Sequence, residues 1–177
     1  MIAAEVVTTI TKALPDALLV ASLGTATSAV RAVTDDGPHV SIAGAMGGAV
    51  AVALGLADAR PDVTVVAVVG DGELLMGAST LWSVAGIRPQ NLVVVVLADG
   101  VYSITGGQPL PAGCQAAAVA AALGLPSATA DTAAELAEAL TTATVIEATV
   151  HERVWPGPSP FVDPHAVRLT VRSRLGA

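Results

Sequence analysis

Val63-Thr64-Val65-Val66-Ala67-Val68-Val69-Gly70-Asp71-Gly72 is an apolar run that stops abruptly at an acidic residue between two glycines. A second apolar run, Leu92 to Leu97, stops in the same way at Asp99 beside Gly100. A helix and a strand fit in the interval between Asp71 and Asp99. Two parallel strands lying side by side would therefore bring both acids to the carboxyl edge of one sheet. That edge is where open α/β sheets bind ligands. A helix start rich in backbone N–H groups is an anion site, and a carboxylate within it repels a phosphate unless a cation lies between them. The simplest reading is a hard metal ion, Mg²⁺, bridging protein oxygens to a diphosphate.

The rest of the chain alternates helix and strand around this core. Ala3 to Leu14 reads as an amphipathic helix stopped by Pro15, and Ala17 to Ala21 as a strand. A Gly24-Thr25 turn then opens a helix near Ala26 to Val33, and Val40-Ser41-Ile42 form a short strand. Gly44-Ala45-Met46-Gly47-Gly48 starts a small-residue helix ending near Arg60, and Leu74 to Ala85 reads as one helix. From Gly100 to Gly113 the glycines and prolines argue against regular structure. Helices are expected at Ala116 to Leu123 and Thr132 to Leu140, the second capped by Asp131. Strands follow at Ser127 to Ala130 and Thr144 to Val150. The chain is one domain, residues 1–177, with an irregular tail from about residue 153 that ends in a short helix, His165 to Leu175. This pattern predicts an α/β fold, a doubly wound and mostly parallel sheet with helices on both faces.

Composition narrows the function classes. Apolar residues make up 53% and aromatics 2%, so Val, Ala, Leu and Ile must build the core, as in a buried parallel sheet. Charged residues are only 13%, which fits a surface partly buried against partners, although an Ala-rich monomer surface is the alternative. The net charge is −7, Lys12 is the single lysine and the arginines are scattered, which argues against nucleic acid. The single cysteine, Cys114, excludes an internal disulfide and a cysteine-rich metal site. Val40 to Ala57 is uncharged, but its glycines and small apolar residues favour a packed helix over a membrane span. No basic region precedes an apolar run at the N-terminus, so a cytoplasmic location is expected.

Gly70-Asp71-Gly72 fails the dinucleotide pattern G-x-G-x-x-G, because the next glycine, Gly77, comes two positions late. The set does resemble another family. Gly70-Asp71-Gly72, with Asp99 after the next apolar strand, is similar to the metal-diphosphate motif of thiamine diphosphate enzymes. Ser22-Leu23-Gly24-Thr25, Gly44-Ala45-Met46-Gly47 and Asp99-Gly100-Val101-Tyr102-Ser103-Ile104-Thr105-Gly106-Gly107-Gln108 fall in the family's order. The chain resembles most the diphosphate-binding half of sulfopyruvate and phosphonopyruvate decarboxylases, well over Ala3 to Gln108 and loosely beyond.

The resemblance implies roles. Asp71 and Asp99 would bind Mg²⁺ through side-chain oxygens and Val101 through its carbonyl. Thr25 and the backbone around Gly70, Gly72, Glu73 and Ile104 would hold the diphosphate. The Gly44 carbonyl would accept a hydrogen bond from the aminopyrimidine, and Met46 would wedge the cofactor into its folded shape, core packing being the alternative for Met46. Tyr102 and Gln108 are candidates for the substrate pocket or for loop anchoring, and His39 is a candidate to face substrate. Trp82, Trp155 and Phe161 read as packing or subunit contacts.

Three departures matter. Asp99 stands where the family usually has Asn. Glu73 stands where a small residue is common, and Gly-Asp-Gly-Glu is closer to transketolases. The activating glutamate of the family, carried by a pyrimidine-binding domain, has no counterpart, since Glu5, Glu135 and Glu138 fall on helix faces. The resemblance therefore implies a diphosphate-binding subunit of a split 2-oxo acid decarboxylase. It would be inactive alone and would work in a hetero-oligomer, with at least two copies of each chain, beside a pyrimidine-domain subunit. A split transketolase-like or acyloin-forming carboligase, or a non-catalytic nucleotide-binding subunit, are the alternatives.

Overall fold

The computed structural model describes residues 1–35, 37, 39–42, 44–151, 157–159 and 161–176. Trp155 lies outside them. The elements run α1 (Ala3–Ala13), β1 (Leu18–Ala21), α2 (Gly24–Thr34), β2 (Val40–Ser41), α3 (Ala49–Ala59), β3 (Val65–Gly70), α4 (Asp71–Met76), α5 (Thr80–Ile87) and β4 (Leu92–Ala98). They continue with β5 (Val101–Tyr102), a 3₁₀ turn (Ser103–Thr105), β6 (Gln108–Pro109), α6 (Ala116–Ala122), β7 (Ser127–Ala130), α7 (Ala133–Ala139), β8 (Val145–Thr149) and α8 (Pro164–Leu175).

Six strands form one sheet in the order β2-β1-β3-β4-β8-β7, and every pairing in it is parallel. The central strands are Val-rich because both faces are covered. Alternate side chains divide the core into two layers. Leu19, Val66, Val68, Val95 and Ile146 pack with α1, α2 and α7 on one face. Val20, Ala67, Val69, Val94 and Val96 pack with α3, α5 and α6 on the other. The expected doubly wound α/β architecture is the one observed.

The register brings the two acids together. Gly70 pairs with Leu97 across β3 and β4, so Asp71 and Asp99 leave adjacent strands at the same edge. The chain runs from β2 at one edge back past β1 to β3, so the order reverses beside this point. Such switch points open a crevice at the carboxyl ends of the strands.

Three local expectations are corrected. Leu74 to Ala85 is two helices, not one, with a break at Gly77-Ala78-Ser79. There the backbones of Gly47 and Gly77 touch so closely that neither position has room for a Cβ, and Gly47 adopts φ +86°. Residues 100–113 are not wholly irregular: β5 and β6 form a two-stranded antiparallel ribbon, with Val101 paired to Pro109 and Tyr102 to Gln108. Pro109 is tolerated because a two-stranded ribbon consists of edges. Finally, α7 is capped by Thr132 rather than Asp131. The Thr132 hydroxyl accepts from the Glu135 amide and the Glu135 side chain reaches back, which is a capping box. Asp131 instead accepts a hydrogen bond from the Thr149 hydroxyl at 2.5 Å. Val40 to Ala57 divides as expected into a short strand, β2, a turn and the helix α3. No helix among the described residues is long and apolar enough to cross a membrane.

Candidate cofactor site

A cleft opens at the carboxyl edge of β1, β3 and β4. Its walls come from Ser22–Ala26 after β1, Gly70–Glu73 after β3, Leu97 and Asp99 at β4, the 101–105 turn and Met46. Its accessible volume is about 80 Å³. Ten of the eleven residues expected at a site line it: Thr25, Met46, Gly70, Asp71, Gly72, Glu73, Asp99, Val101, Tyr102 and Ile104. Gly44 does not. It lies in the turn before α3 with φ +90°.

Asp71 is nearly buried, at 2% exposure. One oxygen accepts from the Gly72 amide at 2.8 Å and the other from the Gly100 amide at 2.7 Å. Burial raises its pKa above the usual carboxylate range; the Gly100 and Gly72 amides oppose that rise, and the charge of Asp99 adds to it. Asp99 is fixed by its own loop, one oxygen accepting from the Val101 amide at 3.0 Å and the other from the Ser103 hydroxyl at 3.2 Å. Tyr102 lies on Gly72: a Cβ there would meet the ring at 2.6 Å. The ring thus holds the 101–105 turn against the first turn of α4 and requires glycine at position 72.

The electrostatics of the cleft are one-sided. Asp71, Glu73 and Asp99 line it, and among the described residues no lysine, arginine or histidine does. A cation between these carboxylates would offset their charge for an entering anion. Two carboxylates and a backbone carbonyl are hard oxygen donors of the kind Mg²⁺ takes, with its remaining positions filled by phosphate and water. The opposite wall is the start of α2, an eleven-residue helix whose N-cap, Leu23, offers no side-chain acceptor. Thr25 Oγ1 is buried there without a hydrogen-bond partner. Free amides and an orphaned hydroxyl at a helix N-terminus are complementary to a phosphate oxygen.

This geometry has counterparts. Residues 24–152 match the family described as thiamine pyrophosphate enzyme, C-terminal TPP binding domain. The chain belongs to this family. Within it, the chain is 41% identical over 96 residues to a phosphonopyruvate decarboxylase of Streptomyces viridochromogenes, covering 52% of this chain and 24% of that protein. It is also similar to a solved thiamin diphosphate-dependent enzyme of Mycobacterium smegmatis, at TM-score 0.68 and 26% identity, covering 85% of this chain and 31% of that one. A thiamine diphosphate-dependent 4-hydroxybenzoylformate decarboxylase of Rhodococcus jostii shares the fold, at TM-score 0.67 and 20% identity over 85% of this chain and 32% of that one. The chain thus spans about a quarter to a third of the length of these relatives.

The remaining candidate residues divide between the cleft and its surroundings. The Glu73 side chain turns away from Asp71 and accepts from the Ala49 amide at the start of α3, at 3.3 Å. Gln108 does not line the cleft; it anchors the loop through Thr105, accepting from its hydroxyl at 2.8 Å and donating to its carbonyl at 2.6 Å. His39 faces a different cavity, under α8, where Nδ1 accepts from the Leu19 amide at 3.1 Å. Burial, helped by the charge of Arg174, lowers its pKa to about 4. Trp82 and Phe161 are each 60% exposed, so neither is core packing. Val150 also lines the cleft and was not foreseen, because its place depends on β8 pairing with β4. Cys114 lies behind the site, its thiol 3.8 Å from the Asp71 carbonyl. Burial, with the charges of Asp71 and Glu147, pushes that thiol up to about 11.

Proposed function

We propose that this chain is the diphosphate-binding subunit of a split thiamine diphosphate-dependent 2-oxo acid decarboxylase, completed by a separate pyrimidine-binding subunit. The observation that carries the reading is the acidic cleft built where three turns of the family pattern converge. Asp71 and Asp99, each pre-oriented by its own hydrogen bonds, hold Mg²⁺ together with the Val101 carbonyl. The start of α2 with Thr25, and the backbone at Gly70, Gly72 and Ile104, take the diphosphate. Met46 forms the apolar wall, and the Gly44 carbonyl is the acceptor for the aminopyrimidine. When bound, thiamine diphosphate would supply the electron sink that 2-oxo acid decarboxylation needs; the residues of the cleft would orient it and exclude water.

Three features support a second subunit. The cleft's volume is well below the ~300–1,000 Å³ of typical small-molecule pockets, so most of the cofactor would lie against another surface. Among the described residues no basic side chain lines it to neutralise a substrate carboxylate, which fits a partner that supplies that charge. And α3, α4 and α5 carry exposed apolar side chains, among them Val52, Met76 and Trp82. The test is reconstitution. With thiamine diphosphate, Mg²⁺ and a small 2-oxo acid, the purified chain should release negligible CO₂, and adding the pyrimidine-domain chain should restore turnover. Full turnover by the rigorously pure single chain overturns the split arrangement.

A further inference from the structure

We propose that Glu73 is a positioning residue that ties together the two walls of the cofactor cleft. The proposal rests on the cofactor reading only for what the cleft holds; the tether is a property of this chain. Glu73 is 6% exposed, and a carboxylate buried to that degree is costly without partners. Residues two apart on a helix point to opposite sides. Asp71 therefore faces the Gly100 loop while Glu73 faces α3, and the first turn of α4 is fastened in both directions.

The bond to α3 has a particular consequence. Glu73 Oε1 accepts from Ala49, the first residue of an eleven-residue helix whose N-cap, Gly48, brings no side chain. The carboxylate substitutes for the missing cap and sits at the positive end of the helix. The turn immediately before is the one that carries Met46. Besides the backbone contact of Gly47 with Gly77, this is the only hydrogen bond among the described residues that joins the 44–49 segment to α4. Glu73 thus sets where the Met46 wall stands relative to the diphosphate-binding turn. Oε2 remains buried without a partner, so the tether is kept although one acceptor is unsatisfied. An apolar side chain of the same size would fill the space but leave Ala49 uncapped.

The test compares Glu73→Met, which keeps the volume and removes the acceptor, with Glu73→Gln, which keeps an oxygen. Amide hydrogen exchange of the full chain without cofactor reads the tether directly. Glu73→Met should speed exchange at Ala49 and through residues 44–48 by about tenfold, the scale of one lost charge-assisted bond, with β3 and β4 unchanged. Glu73→Gln should restore slow exchange. In the assembled complex, titration with thiamine diphosphate and Mg²⁺ should show about tenfold weaker binding for Glu73→Met and near-native binding for Glu73→Gln. Unchanged exchange at Ala49 in Glu73→Met overturns the tether, as does equal acceleration across β3 and β4, which would mean general destabilisation. Because the exchange contrast needs no cofactor, failure of the wild-type complex to bind thiamine diphosphate would count against the cofactor reading alone.

Discussion

Asp99 is one of the positions at which the resemblance leads to another residue, asparagine, and its surroundings say what an aspartate does there. Its two oxygens accept from the Val101 amide and the Ser103 hydroxyl, so the side chain shapes the loop as well as facing the cleft. Asparagine could keep both contacts, accepting from Val101 and donating to Ser103. What changes is charge: an aspartate would attract a cation in the cleft and repel a diphosphate. At an effective dielectric of about 20, unit charges about 4 Å apart interact by roughly 4 kcal/mol, and the opposing terms leave a remainder of order 1 kcal/mol. Asp99→Asn should therefore change cofactor affinity about tenfold or less, whereas Asp99→Leu should lose metal and cofactor together, both read by titration of the assembled complex. At this scale much was legible in the sequence. Asp71, Gly72 and Asp99 could be placed because each ends an apolar run and so must lie at a strand end. Glu73 could not be read so well, since its orientation depends on α3 arriving beside it, and Val150 had no local signal.

Elements were legible where period and punctuation agree, and less so where tertiary contacts decide. The valine runs of β3 and β4 could be nothing else. The break between α4 and α5 was invisible locally, because Leu74 to Ala85 is a good helical stretch. It arises from the contact of Gly77 with Gly47, far apart in sequence. The cap of α7 is Thr132 and not its neighbour: Asp131 and Thr132 are both good N-caps, and Glu135 decides for Thr132 because it stands three residues on, at the capping-box distance. Thr132→Ala should accordingly lower stability by about 1 kcal/mol, while Asp131→Ala should leave the cap intact. Urea unfolding of the two variants checks this.

For the whole molecule, the sheet is closed at one edge by the tail. α8 packs against β2, and Arg174 donates to the carbonyls of Asp16 and Ala17 at 2.9 and 3.0 Å. Arg60 donates to the Leu175 carbonyl at 2.8 Å. His39 is held in the cavity under this helix, with Arg31 and Asp163 also lining it. Its folded pKa of about 4 lies below the ordinary imidazole value of 6.5. The unfolded chain therefore binds more protons between those values, and stability falls as pH drops from about 6.5 toward 4. At 1.36 kcal/mol per unit, the loss is up to about 3 kcal/mol. Unfolding midpoints measured from pH 7 to 4 should show this slope, and His39→Gln should flatten it. The sequence pointed to the doubly wound architecture because strand and helix alternate throughout, but not to this covering of β2, which requires a tail helix to return across the chain.

Asp71, at the shared edge of β3 and β4, is proposed to hold the cation that offsets the charge of an entering diphosphate. Calorimetric titration of thiamine diphosphate into the assembled complex, with and without Mg²⁺, tests it in wild type and in Asp71→Ala. The account predicts Mg²⁺-dependent binding in the wild type and none in the variant, with far-ultraviolet circular dichroism unchanged. Equal affinity in Asp71→Ala, or wild-type binding indifferent to Mg²⁺, would contradict it.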